Sequence, residues 1–123
     1  MHEFGITSRI VEAALSSAEE NGASAVKQVD LVIGKLTLLN PEQVKFAYDI
    51  LVEGTILEGS ELSVEEVEGV VRCLSCENEE KVTFSEPQDH FKPLPLISCS
   101  RCRGEVEIIK GKECAIKGIF VED

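Results

Sequence analysis

The sequence predicts an α+β fold in which two helices cover a small antiparallel or mixed sheet, with a cysteine-bearing module inserted before the last strand. Three observations carry this reading: helical spacing of apolar residues in two segments, apolar/polar alternation in several others, and two C-x-x-C pairs enclosed by strand-like runs. With 123 residues, 43% of them hydrophobic, the chain has material for one ordinary domain or two very small ones. A segment of about 40 residues seldom folds by apolar burial alone, so an inserted module of that size needs a staple.

Residues 4–20 place Phe4, Val11, Leu15 and Ala18 on one helical face, with Ile10 and Ala14 beside them and Glu12, Glu19 and Glu20 elsewhere. Asn21-Gly22 supplies the stop. From Val29 the period changes to two, with Val29, Leu31 and Ile33 opposite Asp30, ending near Gly34. Asn40-Pro41-Glu42-Gln43 sets an N-cap, an N1 proline and an N3 glutamine in order, which opens a second helix carrying Val44, Ala47, Tyr48 and Leu51 and closed by Gly54. Leu62, Val64, Val67, Val70 and Val71 read as a second strand that bulges before running into Cys73.

After Cys102, Val106 and Ile108 and then Cys114 to Val121 form two more strands around Gly111-Lys112. Residues 112–123 are too short to fold alone, so the last strand is expected to rejoin the first sheet. The implied units are 1–69 plus 112–123 and, inserted between them, 70–111. Cys114 alternates with Ile116 and Phe120 and reads as a core thiol. Pro87, Pro93 and Pro95 around His90 predict a loop.

Cys73 and Cys76 form one knuckle and Cys99 and Cys102 another, with 22 residues between them. Each C-x-x-C turn offers two sulfurs to one ion, and two such turns complete a tetrahedral four-sulfur shell with bonds of about 2.3 Å. This is zinc-ribbon spacing, and a closed four-cysteine site leaves no position open for a substrate, so the zinc is structural. The same ligands suit a rubredoxin-like iron, and a dithiol redox pair is the remaining alternative, although that chemistry uses one motif at a helix start. Four thiolates on Zn(II) leave a local charge of about −2, which the nearby Arg72, Arg101 and Arg103 are placed to offset.

The 12 basic against 23 acidic residues leave a net charge of −11, which repels phosphate backbones and anionic lipid, so neither nucleic acid nor membrane is an expected partner. No apolar run approaches the ~20 residues of a membrane span. Met-His-Glu-Phe-Gly lacks the basic and apolar regions of a secretory signal, and a cytoplasmic location is expected, where clustered cysteines hold metal more often than disulfides. Glu53, Glu58, Glu61, Glu65, Glu66 and Glu68, unbroken by any Lys or Arg, read as a solvated face. Neither a Gly-rich phosphate loop nor a nucleophile with its base is present, so no catalytic residue is assigned and the chain is not expected to be an enzyme.

At the other end, a histidine at position two lets the Met1 amine, the His2 amide nitrogen and an imidazole nitrogen chelate one ion. Ni(II) and Cu(II) favour such square-planar nitrogen ligation, and the Glu3 amide completes the set with its carboxylate nearby. Met1-His2-Glu3, the strand end Leu31-Val32-Ile33-Gly34, the segment from Phe46 through Gly54-Thr55-Ile56-Leu57-Glu58-Gly59 and the two C-x-x-C pairs together resemble the HypA family of hydrogenase-maturation nickel metallochaperones.

The resemblance covers nearly the whole chain. It implies a small α+β nickel-binding domain with an inserted zinc ribbon, nickel ligation at His2 and Glu3, and structural zinc at Cys73, Cys76, Cys99 and Cys102. It implies work with the GTPase HypB to load nickel into the hydrogenase large subunit, with a homodimer as one form of the carrier. Ser100 stands where the family often has proline, and Cys114 where an aliphatic residue is usual. His90 lies in a linker that carries an extra nickel-approaching histidine in some relatives, at a different spacing from the cysteines. The rival from another class is a zinc-ribbon protein-interaction or transcription accessory module with no nickel function.

Overall fold

A computed structural model of the chain describes residues 3–84 and 95–122. Met1, His2, Pro87, His90 and Pro93 lie outside the described residues. The first sheet has the order β2–β1–β8, formed by β1 (Ala25–Gly34), β2 (Glu61–Val67) and β8 (Cys114–Glu122). β1 and β2 run parallel, joined through helix α2 (Pro41–Leu51), as a parallel pair requires a crossover. β8 returns antiparallel to β1, so the sheet is mixed and its last strand does rejoin it.

Helix α1 (Glu3–Glu20) and α2 pack on one face of this sheet. The core between them holds Ile10, Val11, Ala14, Ala18, Val29, Leu31, Ile33, Val44, Tyr48, Leu57 and Leu62. The buried stripe of α1 is rotated from the sequence expectation: Thr7 is fully buried, whereas Phe4 is 46% exposed at the helix start. Thr7 tolerates burial because its hydroxyl donates back to the Glu3 carbonyl, the i−4 bond open to threonine in a helix.

Two bulges alter the strands. Lys27 is an extra residue in β1, so Val26 and Val29 both point inward although three positions separate them. The inward alternation thus begins again at Val29, and the strand starts at Ala25, four residues earlier than the periodicity indicates. Lys117 is the extra residue in β8; beyond it Ile119 pairs with Val29 and packs on the core, while Phe120 is 53% exposed. Cys114 is half-buried beside Ile6, Ile10 and Ile116, and burial raises its thiol pKa.

The expected second strand is two strands in two sheets. It breaks at Glu68-Gly69, and β3 (Val70–Cys73) then pairs antiparallel with β4 (Glu79–Lys81) and β7 (Val106–Lys110). A third ladder joins β5 (Thr83–Phe84) to β6 (Pro95–Leu96). Where the sheets meet, a Cβ on Gly34 would collide with the Gly111 carbonyl, the same oxygen that accepts the Leu36 N–H at 2.8 Å. Only glycine permits that approach.

Candidate metal centre

The four cysteines converge from two turns of the same design. Cys73–Cys76 joins β3 to β4, and Cys99–Cys102 precedes β7. In the first turn the Glu77 N–H donates to the Cys73 carbonyl at 3.1 Å and the Cys73 N–H to the Asn78 carbonyl at 2.8 Å. In the second, the Arg103 N–H donates to the Cys99 carbonyl at 2.8 Å and the Cys99 N–H to the Gly104 carbonyl at 3.2 Å. Glu77 and Arg103, at equivalent positions, both adopt positive φ, 63° and 62°. Backbone N–H groups of Ser75 and Cys76 point at Cys73 Sγ, at 3.3 and 3.4 Å.

The four sulfurs lie within 4.8 Å of one another, with Cys73 and Cys102 3.4 Å apart and Cys76 and Cys99 3.6 Å apart. Disulfide sulfurs would sit about 2.05 Å apart, whereas a tetrahedral shell with bonds of about 2.3 Å has edges of about 3.8 Å. The donor set therefore fits a thiophilic tetrahedral ion. Cys73 and Cys99 are buried and Cys76 and Cys102 exposed, so one side of the cluster faces solvent.

Charge is divided unevenly. The Cys102 backbone N–H, and after it that of Arg101, brings the Cys99 thiol down to about 6 against the effect of burial. Cys73 is lowered likewise by the N–H groups of Cys76 and Ser75. Cys102 goes up to about 12: the Gly104 amide lowers it, but Cys73, burial and the other two sulfurs outweigh that. Four sulfurs this close cannot all ionise without a cation among them, and a divalent ion at their centre removes the conflict.

Arg72 is engaged elsewhere than the sequence suggests. Arg72 spans its sheet, with its guanidinium 3.0 Å from Glu79 and 3.7 Å from Glu107, so it neutralises carboxylates and not the sulfur cluster. Arg101 and Arg103 make no ion pair among the described residues. Residues not foreseen as part of the site are Asn78 and Glu80. The Glu80 carboxyl is held below its usual range by hydrogen bonds from the backbone and then the side chain of Ser100, with a smaller one from Asn78. Their only sequence signal is position: Asn78 follows its knuckle as Gly104 follows the other.

At the opposite end Glu3 begins α1, and its carboxylate accepts the Asn40 backbone N–H at 3.2 Å. Asn40 caps α2, its side-chain oxygen accepting from Glu42 at 2.9 Å and Gln43 at 3.3 Å. The Asn40 N–H, which a capping box would give to the side chain at N3, goes to Glu3 instead and ties the two helix starts together. The acidic run is also partly neutralised, by Lys117 on Glu65 at 3.1 Å and Lys35 on Glu68 at 2.6 Å.

A helix-covered mixed sheet joined to a ribbon whose four cysteine sulfurs can hold one ion defines a small metal-binding protein. A family model described as "Hydrogenase/urease nickel incorporation, metallochaperone, hypA" matches residues 1–121. The hydrogenase maturation factor HypA of Methanothermobacter thermautotrophicus is 42% identical, over 99% of this chain and 98% of that one. The HypA of Pyrococcus furiosus is 37% identical, over 99% of this chain and 96% of the relative. In fold the chain is similar to the solution structure of the nickel metallochaperone HypA from Helicobacter pylori, with a TM-score of 0.65, 19% identity, and coverage of 98% of this chain and 97% of that one. The chain belongs to the HypA family of nickel-incorporation metallochaperones for hydrogenase maturation, which are not enzymes. No helix among the described residues is long and apolar enough to cross a membrane.

Proposed function

We propose that this chain carries Ni(II) at its N-terminus and delivers it to the hydrogenase large subunit with the GTPase HypB. The family match extends from residue 1, and that observation carries the reading, because it includes the N-terminal chelating sequence. The Met1 amine, the His2 amide and imidazole nitrogens and the Glu3 amide nitrogen are the ligands. The Glu3 carboxylate, bonded to the Asn40 N–H, anchors the start of α1 beside them. The metal moves by ligand exchange, since a shallow terminal chelate gives up its ion more readily than a closed cage, and protonation of His2 near its usual pKa of ~6.5 weakens it further.

Zn(II) at Cys73, Cys76, Cys99 and Cys102 shapes the ribbon, residues 70–111, as a unit inserted into the nickel-binding domain of residues 1–69 and 112–123. We place the carrier in the cytoplasm, with a homodimer as one form of it.

The test is calorimetric Ni(II) titration of zinc-loaded protein with a native N-terminus, beside His2→Ala and an N-terminally extended form. One nickel site is expected in the native chain and is lost in both variants, with one zinc retained throughout. No nickel uptake by the native chain, or unchanged affinity in His2→Ala, would overturn the nickel assignment.

A further inference from the structure

Beyond the four cysteines, one short segment, Asn78 and the start of β4, reaches both knuckles. Asn78 accepts the Cys73 N–H through its main-chain carbonyl at 2.8 Å. Its side-chain Nδ2 lies 3.9 Å from Cys99 Sγ and donates to Glu80 Oε1 at 3.2 Å. Glu80 Oε1 also accepts the Ser100 N–H at 2.8 Å, so the carboxylate grips the second knuckle one residue beyond Cys99.

A carboxylate beside sulfurs with net negative charge is unfavourable in itself. Here it is turned onto donors, the Ser100 N–H and hydroxyl and the Asn78 amide, and not onto sulfur. Within the two knuckles, Cys73 and Cys99 each receive backbone N–H groups of their own turn. Cys99 has in addition a side-chain donor from the loop that follows the other knuckle, and that donor is also bonded to Glu80.

We infer that Glu80 is a positioning residue of the metal site: it clamps the Cys99–Cys102 knuckle to β4 and keeps the Asn78 amide on Cys99 Sγ, which slows metal exchange. The inference rests on the cluster holding zinc. Arg72 is the natural control, because it ties β4 to β3 and β7 through Glu79 and Glu107 while its side chain bonds neither knuckle. A role confined to strand stability would show in Arg72→Ala as strongly as in Glu80→Ala.

The experiment measures zinc release from the zinc-loaded full chain to an excess of chromogenic chelator, with Co(II)-substituted samples recorded in parallel. Loss of partners that orient metal ligands typically costs 10–100-fold in affinity, so Glu80→Ala is expected to release zinc about tenfold faster. Glu80→Gln keeps an acceptor oxygen and stays within about threefold of the parent. Asn78→Ala falls between them, and Arg72→Ala matches the parent.

Every Co(II) form keeps the parent's four-thiolate absorption bands. Glu80→Ala releasing within about twofold of the parent, or no faster than Arg72→Ala, overturns the inference. So does loss of the four-thiolate bands in Glu80→Ala, which would mean a changed ligand set. If Glu80→Ala does not fold, parent-like release from Asn78→Ala is the overturning result. A parent chain that takes up no zinc fails the zinc reading instead, before any variant is compared.

Discussion

The helix-covered sheet and the cysteine ribbon are held together by different physics. In the first, Val29, Leu31, Ile33, Val44, Tyr48 and Leu57 are all but fully buried, and both helices press on one sheet face. The ribbon has little of this: Val71, Val82 and the sulfur-bearing Cys73 and Cys99 are its buried hydrophobic side chains among the described residues, while Leu74, Ile97, Ile108 and Ile109 are 40–58% exposed. Apolar burial organises the first region, whereas in the second four convergent sulfurs, placed to bind one ion, stand where a core would be. The two should therefore fail separately and under different insults.

The largest effect expected is from removing the ion. In small metal domains the binding free energy is the folding free energy, so chelation of zinc, or Cys99→Ser, should unfold the ribbon outright. The check is an NMR spectrum in which resonances of residues 70–110 collapse, while those of β1 and the helical circular dichroism persist. Collapse of the helices together with the ribbon would show the two regions to be one cooperative unit.

A smaller, converse effect comes from the core. Leu31→Ala empties a site that is 1% exposed and should cost about 2–5 kcal/mol in denaturant unfolding of the helical signal. Zinc stoichiometry, read on the folded protein, should stay at one ion. Loss of zinc from a folded Leu31→Ala chain would contradict the separation.

The smallest is a pH effect confined to the helical region. Tyr48, the chain's single tyrosine, is fully buried, and burial raises its pKa above the usual 10, only partly offset by its 2.6 Å bond with Ser60. Because the folded pKa is the higher one, the stabilisation is complete below pH 10 and is lost as pH rises through the folded value. Spectrophotometric titration should find a tyrosinate midpoint above 10 in the native chain and near 10 in denaturant. Tyr48→Phe should flatten this alkaline loss at a neutral-pH cost of about 1 kcal/mol, since Ser60 still donates to the Leu57 carbonyl.

Much of the architecture was legible because it depends on local spacing. The cysteine pairs specify a four-sulfur cluster whatever lies between them, since each C-x-x-C turn fixes two ligands by itself. Asn40-Pro41 opens α2 for reasons contained in its first turn, where a cap and a fixed φ suffice. The shortness of the last segment implied its return to the first sheet, because nine residues of β8 have no core of their own.

What escaped that reading depends on contacts between distant residues. A one-residue bulge reverses which side chains face inward, so Ile119 and not Phe120 packs on the core, and such a bulge is decided only by pairing with the partner strand. Donors and acceptors are likewise assigned by proximity after folding: Asn40 gives its N–H to Glu3, Arg72 goes to Glu79 and Glu107, and Glu80 takes Ser100 across twenty residues. By itself the sequence determined the four-cysteine set and the order of the helices and of the first sheet's strands, because turns, caps and periodicity act within a few residues. Only the tertiary structure decided which groups lie against those sulfurs, because a hydrogen bond exists only where the finished fold brings its two partners within reach.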